Sequence, residues 1–528
     1  MLHLFPCFCL FLLSLPIFFF FFFFSKTTTA PFRERRRRRR RRSYNLPPGP
    51  RPLPIIGNLL KLGQLPHISF RNLAADHGPL MHLKLGQIST IVVSSKEMAS
   101  QILKIQDLIF CSRPQLVAST LLSYGGLDLA FSPYNDYFKQ IRRFSIAQFF
   151  SASRVLSFRP IREEEMRSLV DTIRKDSARG KAVNLSQMAV CLYNNIIYRE
   201  VFGKRTSAVE GESGLSRHQN LITSVIDLLP GFSIGDFFPS LWWLDLVTGW
   251  RLKLERSFRE MDLVFEKELS ARKIIKNTNG VREEEEDEEA QGVFVDVLLR
   301  CEIEKDPLLG FLLSRETTKA LLMDLFFAAT ETAAVTVEWG MSELMRNPRV
   351  MKKAQEEIRR VVGAGKAIVE EDDLQHLDYL KLVLNETLRL HPAAPLLGQH
   401  ECMKDTKIDG FDIPAKTRVI VNASALGRDP HIWNHPEIFL PERFLNSQIN
   451  YKGSHLEFIP FGSGRRICPG MAHAIAGVEL AFATMLYSFD WELPMGVREK
   501  GIDMEERYGV SISRKTPLIL IANPAITA

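Results

Sequence analysis

The chain has 528 residues, enough to bury a large core, and with 45% hydrophobic and 24% charged residues its composition is that of a folded globular protein. Its formal net charge of +7 does not indicate a nucleic-acid-binding protein, because residues 33–42 alone carry +8 and leave −1 for the rest. The cysteines number seven and form no CxxC pair. This odd, sparse set argues against a disulfide framework or a structural zinc site and favours a reduced compartment.

The N-terminal segment predicts a membrane anchor. Residues 4–24 form an uncharged apolar run that ends in seven consecutive phenylalanines. As a helix this run is long enough to span a hydrocarbon core of about 30 Å. The positive charge follows the run, so the positive-inside rule keeps the rest of the chain in the cytosol. A cleaved signal peptide is less favoured, because its apolar core is shorter and is preceded by a basic residue. Residues 1–24 are therefore predicted to be a single-pass signal-anchor.

Residues 25–54 are predicted to be a linker between the anchor and a folded body. The arginine run at 33–42 is most simply a solvated segment that touches anionic lipid headgroups. A nuclear-localisation role is less favoured after a membrane anchor. The following LPPGPRPLP, at 46–54, is stiff and cannot continue a helix, so it is predicted to be a hinge.

The body, residues 55–528, is predicted to be mainly α-helical with a small β portion, an α+β protein. Residues 82–95 have the pattern of a small sheet, and the acidic run at 283–289 is most simply a solvated loop. No GxGxxG follows a strand, and Arg360 stands where a phosphate-binding loop needs glycine. The amphipathic stretches that predict long helices cover residues 160–175, 252–273, 317–346, 350–362 and 470–487.

The segment FIPFGSGRRICPG, residues 458–470, carries the most informative cysteine. EFIPFG predicts the end of a strand, the glycine-rich part predicts a loop, and a helical pattern resumes at Gly470. Cys468 is thus expected just before a helix N-terminus, where backbone N–H groups and the helix dipole favour a thiolate. Gly462, Gly464 and Gly470 allow a flat group to approach the backbone, and Arg466 suits a carboxylate.

Three interpretations of Cys468 remain open from the loop chemistry alone. A free cysteine is most often a small buried hydrophobic residue. A nucleophile would need a histidine partner, for which His400 and His473 are candidates. A metal ligand is the third possibility.

The pattern Phe461-x-x-Gly464-x-Arg466-x-Cys468-x-Gly470 resembles the haem-binding loop of the cytochrome P-450 monooxygenases at every motif position. The resemblance implies a cytochrome P-450 fold with a single large haem domain. It also implies that Cys468 is the axial thiolate ligand of the iron of haem b, with Arg466 facing a propionate and Phe461 near the sulfur. Thiolate donation to iron favours cleavage of the O–O bond.

A second motif lies upstream in NETLRLHP and PERF. Glu386 and Arg389 are three residues apart on one helix face, and Arg443 belongs to PERF. The same resemblance implies that these three residues form a buried network that holds the haem-side fold.

The run DLFFAATETAAVTVEW, residues 324–339, predicts an apolar helix that carries Glu331 beside Thr332. Such polar groups are costly to bury unless they are paired or used. In the resembling family this pair lies at the oxygen site, where Thr332 would hydrogen-bond oxygen and Glu331 would relay protons. The family also implies an apolar substrate pocket from residues 116–130, 393–397 and 510–512, with Ala328, Ala329, Ala393, Leu397 and Val510 facing the substrate.

Several positions depart from the pattern of that family. Phe138 replaces the tryptophan of Trp-x-x-x-Arg, although Arg142 keeps the propionate-pairing cation. Ala329 and Ala333 stand where glycine and Thr or Ser are usual. Gln399 and His400 replace Pro-Arg, so a propionate there meets a histidine that is only partly charged near neutrality.

The resemblance covers nearly the whole chain and is closest to plant microsomal members. It implies an endoplasmic-reticulum membrane monooxygenase that receives electrons from NADPH through cytochrome P-450 reductase, with a cytochrome b-type protein as a second donor. The substrate would be a small lipophilic terpenoid, phenolic or related metabolite, and no nucleic acid is bound. A haem-thiolate rearranging enzyme without a reductase is disfavoured by the Glu331–Thr332 pair. A catalytically impaired haem-binding membrane protein is the other alternative.

Overall fold

A computed structural model of the protein describes residues 44–205, 217–279 and 292–525. The predicted anchor, the arginine run and the acidic run at 283–289 lie outside these residues. The described chain is dominated by helices, with short strands gathered into small sheets. The predicted α+β class is therefore confirmed.

The helices of twelve or more residues are numbered here in chain order. They are α1 Pro66–His77, α2 Asp136–Phe149, α3 Arg159–Ala178, α4 Leu185–Phe202, α5 Arg217–Leu228, α6 Trp250–Asn279, α7 Arg315–Arg346, α8 Pro348–Val362, α9 Asp378–Leu390 and α10 Met471–Ser488. Five of them, α3, α6, α7, α8 and α10, coincide with the stretches in which the sequence has helical periodicity.

Shorter helices connect these elements. They are Lys96–Ser100, Asp107–Phe110, Val117–Leu122, Ala152–Ser157, Ile234–Phe237, Leu244–Val247, Phe294–Ile303, Ala423–Leu426 and Met495–Lys500. The 3₁₀ turns are Leu59–Lys61, Pro239–Leu241, Asp373–His376, Pro441–Phe444 and Gly464–Arg466, and Gln101–Ile105 forms a π-helix.

The strands are β1 Leu80–Leu85, β2 Ile88–Val93, β3 Val183–Asn184, β4 His400–Glu401, β5 Thr406–Ile408, β6 Phe411–Ile413, β7 Arg418–Val421, β8 Phe489–Glu492, β9 Glu506–Arg507, β10 Ser513–Arg514 and β11 Ile519–Pro524. A four-stranded sheet has the order β1-β2-β7-β4, in which only β2 and β7 are parallel. The strands β3-β11-β8 form an antiparallel sheet, and β5-β6 and β9-β10 are two-stranded.

The central helix α7 joins the two largest hydrophobic clusters of the body. Residues of its first half, among them Leu322 and Phe326, belong to a cluster with α2, α4 and α6. Residues of its second half, among them Val337 and Met341, belong to a cluster with α3, α8, α9 and α10. The less buried segment 327–332 lies where the helix passes from one cluster to the other. The candidate active site is at this segment.

Two helices of the described chain, α7 and α10, are long and apolar enough to cross a membrane. Both are mostly buried within the protein, as expected of helices that are hydrophobic on nearly all sides. They are core helices of the folded body.

The proline-rich segment at 46–54 lies against the folded body. His82 N donates to Pro48 O at 2.8 Å, and a Cβ on Gly49 would lie 2.0 Å from His82 O. Just before it, Asn45 exchanges two hydrogen bonds with Asp412 on β6. This part of the expected hinge is therefore attached to two different sheets.

The prediction that EFIPFG forms the end of a strand is wrong. Residues 457–462 form turns, in which Phe458 N donates to His455 O and Gly462 N donates to Ile459 O. Pro460 has no backbone N–H to donate to a neighbouring strand, and Gly462 has a φ of +74°, so the segment does not continue as a regular strand.

Candidate active site

The loop that carries Cys468 folds back on itself. Cys468 N donates to Phe461 O at 2.9 Å, across the 3₁₀ turn Gly464–Arg466. Gly464 has φ +71°, and a Cβ there would lie 2.4 Å from Leu103 O, so the turn needs glycine at this position. Gly462 also has a positive φ, and a Cβ there would meet open space. Gly470 is the N-cap residue of α10. The sulfur is thus held directly before a helix.

The environment of Cys468 does not favour a free nucleophile. Burial raises the pKa of the Cys468 thiol, while the Gly470 N–H and the Arg142 guanidinium act in the opposite direction. The candidate histidine partners are engaged elsewhere, because His473 Nε2 is 2.8 Å from Glu200 Oε2 and His400 Nδ1 contacts Phe110 O. The thiol is free. A buried sulfur of this kind becomes a thiolate readily when a metal cation binds it.

Three guanidinium groups surround the loop, and they come from separate parts of the chain. Arg466 donates to the carbonyl oxygens of Cys111 at 2.7 Å and Ser132 at 2.6 Å. Arg142 donates to Ile467 O at 2.7 Å. No salt bridge joins Arg466, Arg142 or the third group to any carboxylate among the residues that the structure describes.

The third group is Arg113, which the sequence analysis did not single out. It donates to Ala130 O at 3.1 Å, Gly398 O at 2.5 Å and Gln399 O at 2.6 Å. Burial lowers the pKa of Arg113 to about 10 and that of Arg466 to about 9, and neighbouring cations act in the same direction, Arg142 on Arg113 and Arg113 on Arg466. Both remain charged at neutral pH. A lone arginine before a proline, as in CSRPQL, gives no sequence signal for such a site.

His400 is neutral, rather than partly charged as the sequence predicted. It is buried at the start of β4, and its Nδ1 lies 2.9 Å from Phe110 O, so this nitrogen carries the hydrogen. Burial and the cation of Arg113 lower the pKa of His400 to about 3. Positive charge at this edge of the site is therefore supplied by Arg113.

Phe138 has a defined role in the position where the family pattern has tryptophan. Its ring is 1% exposed, and the Arg466 guanidinium carbon lies 3.6 Å from the ring centroid. Stacking of this kind holds a guanidinium in place without a hydrogen bond. The loss of the indole N–H is thus accompanied by direct stacking on the arginine.

The acid–alcohol pair lies on the less buried segment of α7. Thr332 Oγ1 donates to Ala328 O at 2.6 Å, so its lone pairs remain available to accept a hydrogen bond. Burial raises the pKa of Glu331 to about 7, while the Ser511 hydroxyl and Arg507 act in the opposite direction. A carboxyl group of this pKa can both hold and release a proton near neutrality.

The other pocket candidates differ in exposure and in their backbone contacts. Ala328 is exposed on an otherwise buried helix, whereas Ala329 is half-buried against the cluster of α2, α4 and α6. Ala393 O accepts from Ile512 N at 2.9 Å, which joins two of the expected pocket segments. Val510 is 43% exposed, and Leu397 has φ +52°. Ala333, by contrast, is buried in the core cluster of α8 and α9.

The structure brings Glu386, Arg389 and Arg443 together. Arg389 donates to both carboxylate oxygens of Glu386, at 2.7 and 2.8 Å, and Arg443 Nε donates to Oε1 at 2.9 Å. The remaining donors of Arg389 reach Gly427 O and Pro436 O. Every donor that the carboxylate needs is present inside the fold, so this buried network is satisfied.

The model of the family described as Cytochrome P450 matches residues 47–521 of the chain. The chain belongs to the cytochrome P450 family. It is 45% identical over 466 residues to "Cytochrome P450 71A1" of Persea americana, which covers 88% of this chain and 91% of that protein. "Desmethyl-deoxy-podophyllotoxin synthase" of Sinopodophyllum hexandrum is 45% identical (90% and 91% covered), and "Phenylacetaldehyde oxime monooxygenase CYP71AN24" of Prunus mume is 43% identical (91% and 89% covered).

The predicted family and the predicted enzyme class, a P450 monooxygenase, are therefore confirmed. P450 membership implies a haem whose iron is held by a cysteine thiolate. The residues present fit that group: a buried sulfur lies before a helix, Gly462 faces open space, and three guanidinium groups stand without a carboxylate partner among the described residues. Such cations suit the propionates of a haem.

The network around Glu386 yields a first prediction. Glu386→Ala should lower the free energy of unfolding by about 3–5 kcal/mol, because two buried guanidinium groups lose their carboxylate. Thermal or urea unfolding of the haem-loaded protein measures this loss. The matched control is Glu356→Ala, which breaks an exposed pair with Lys352 and should change stability by less than about 0.5 kcal/mol. Equal effects of the two variants would contradict the proposed burial of the network.

His400 yields a second prediction. The unfolded chain takes up a proton on this imidazole below pH of about 6.5, but the native protein does not until near pH 3. Stability is therefore lost as the pH falls, by about 2 kcal/mol between pH 7 and pH 5. His400→Asn keeps the donor to Phe110 O and should remove this part of the acid sensitivity. His431→Asn, at a side chain that is 91% exposed, is the control. Identical pH profiles for wild type and His400→Asn would refute the neutral imidazole.

Proposed function

We propose that the protein is a membrane-bound haem-thiolate monooxygenase that oxidises small lipophilic compounds of plant specialised metabolism, such as terpenoids or phenolics. Electrons would come from NADPH through a separate flavoprotein reductase. The observation that carries the proposal is the buried Cys468 loop, beside which Arg142 and Arg466 donate to main-chain carbonyl oxygens and form no salt bridge among the described residues. The three relatives reported above are named as a cytochrome P450, a desmethyl-deoxy-podophyllotoxin synthase and a phenylacetaldehyde oxime monooxygenase.

The proposed roles of the residues follow from their chemistry. When bound, the haem iron supplies the activation of O2 and the insertion of one oxygen atom into the substrate. Cys468 would hold the iron through its sulfur, and the three arginines would bind the carboxylates of the haem. Thr332, whose hydroxyl already donates to Ala328 O, would accept a hydrogen bond from the group that delivers a proton to the site. Glu331 would return a proton to that group, which its pKa of about 7 permits.

An electron-donating partner is proposed because the chain offers no nucleotide site of its own. The sequence contains no GxGxxG after a strand and no intact phosphate-binding loop. A reductase that binds NADPH separately, with a cytochrome b-type protein as a second donor, would supply the two electrons that each oxygen insertion consumes.

Membrane association is supported by an exposed apolar surface as well as by the N-terminal sequence. Phe232, Trp242, Trp243 and Val247 are between 49% and 74% exposed. The turn of the β1–β2 hairpin connects this surface to the exposed Ile55, since Gln87 N donates to Phe237 O and Gly86 N donates to Ile56 O. Paired tryptophans are suited to the membrane–water interface. We propose the endoplasmic reticulum as the membrane and the cytosol as the side of the catalytic domain.

The carbon monoxide difference spectrum of the reduced protein tests this function. The wild-type protein should show the red-shifted Soret band of a haem thiolate, and Cys468→Ser should abolish it because the sulfur ligand is lost. Cys191→Ser removes a half-buried free thiol away from this loop and should leave the band unchanged. A wild-type protein that binds haem without the red-shifted band would overturn the proposal.

Thr332→Ala tests the proton role. It should leave haem binding intact while lowering the yield of oxidised product per NADPH consumed, by about tenfold or more. Thr336→Ala is a matched control, because Thr336 Oγ1 makes the same kind of bond, to Thr332 O at 2.8 Å, from a buried position one turn further on. Unchanged coupling in Thr332→Ala, measured in microsomes with a reductase, would exclude the role.

A further inference from the structure

Two carboxyl groups meet beside the cluster of arginines, and the mechanism above does not use them. Asp324 lies on α7, and Asp128 lies in the 127–132 loop that follows helix Val117–Leu122. Asp128 is 1% exposed. The two side chains are within hydrogen-bonding distance of each other. Two carboxylates cannot form such a contact unless one of them holds a proton.

The hydrogen bonds around the pair show where a proton is needed. Asp324 Oδ2 accepts from Leu129 N at 2.6 Å and from Ala130 N at 3.3 Å. Asp128 Oδ2 accepts from Phe131 N at 2.9 Å. The Ser132 N–H also faces the Asp128 carboxyl group, but in the described part of the chain no donor reaches the buried Oδ1 with hydrogen-bond geometry. A proton on the Asp324 carboxyl supplies the missing donor.

The charged and titratable groups that face the pair are Arg466, Arg113 and Tyr137. The Arg466 cation lowers the pKa of Asp128, yet burial outweighs it and raises that pKa. Burial, and then the neighbouring Asp128 carboxylate, raise the pKa of Asp324 well above its ordinary value. Tyr137 donates to Leu127 O at 2.7 Å and stays protonated, since burial raises its pKa to about 12.

We propose that Asp128 and Asp324 share one proton and act together as positioning residues, which hold the 127–132 loop against the central helix beside the active site. The same loop presents its carbonyl oxygens to the arginines: Leu129 and Ser132 to Arg466, and Ala130 to Arg113. The proton-sharing pair therefore sets the position of the cations through the loop.

The position of Asp324 on α7 connects this contact to the active site. Asp324, Ala328 and Thr332 follow one another at intervals of four residues and so lie on one face of the helix. The loop is thus held one turn away from Ala328. Removal of the shared proton is expected to increase the mobility of the 127–132 loop, which lies next to the exposed segment of the helix.

Asp324→Asn and Asp324→Leu separate the proton from the shape of the side chain. The asparagine oxygen can accept from Leu129 N and Ala130 N while its amide donates to Asp128, so the loop keeps its contacts without a titrating proton. The leucine can make neither contact. Hydrogen exchange of peptides covering residues 127–132 in the full-length, haem-loaded protein should accelerate about tenfold or more in Asp324→Leu and stay at the wild-type rate in Asp324→Asn.

The pH dependence of the unfolding midpoint distinguishes a shared proton from a purely structural contact, because only a shared proton makes this midpoint depend on pH. The native pair keeps a proton that the unfolded chain has released above pH of about 4, so wild-type stability is present below that pH and is lost as the pH rises through the raised pKa. In Asp324→Asn, the slope of unfolding free energy against pH should lose the contribution of one proton. Glu316→Gln, at an exposed carboxylate on the same helix, should keep the wild-type slope.

A wild-type slope in Asp324→Asn, or wild-type exchange in Asp324→Leu, would overturn the proposal. Should the leucine variant fail to fold, Asp128→Asn decides instead, because its amide can donate to the Asp324 carboxylate and should reproduce the flattened slope. Neither readout uses the monooxygenase reaction. A failure of the proposed function, seen in the carbon monoxide spectrum, is therefore distinguishable from a failure of this inference.

Discussion

Buried positive charge that forms no salt bridge among the described residues is the constraint on which the active site depends. Arg113, Arg142 and Arg466 are held by main-chain carbonyl oxygens and by the ring of Phe138, with no salt bridge among the described residues. Burying a cation is costly, so each carbonyl must be held in place before the cation arrives. The fold can therefore accommodate these arginines only because the loops at 111–113, 127–132 and 398–400 are held in place.

The parts of the site that the sequence predicted are those encoded within a short segment. The Cys468 loop and the Glu386–Arg389 pair are local motifs, and helical periodicity marks α7 and α10. Arg113 could not be found in this way, because its partners Gly398 and Gln399 are more than 280 residues away. The strand expected from EFIPFG failed for a related reason, since a strand requires a partner edge that no local pattern reports.

The sequence around Asp324 carries a signal of the same kind as that around Glu331. The run LLMDLFF places one carboxyl group among apolar residues on a helix that is hydrophobic on nearly all sides. A group in that setting must be paired, neutral or functional. Glu331 and Asp324 both meet this criterion. Its partner Asp128, however, lies almost 200 residues earlier and had to come from the fold.

The proton shared by Asp128 and Asp324 also explains why these two acids together neutralise no more than one of the three arginine charges. Three guanidinium groups carry three positive charges, and the pair carries one negative charge while it holds a proton. His400 is neutral and adds no charge to this cluster. The arginines therefore keep a net positive charge, which suits the carboxylates of a haem b. If both aspartates were ionised, one more cation would be neutralised from within the protein, and the attraction for the macrocycle would weaken. The protonated pair thus holds the loop and also preserves the charge that the cofactor requires.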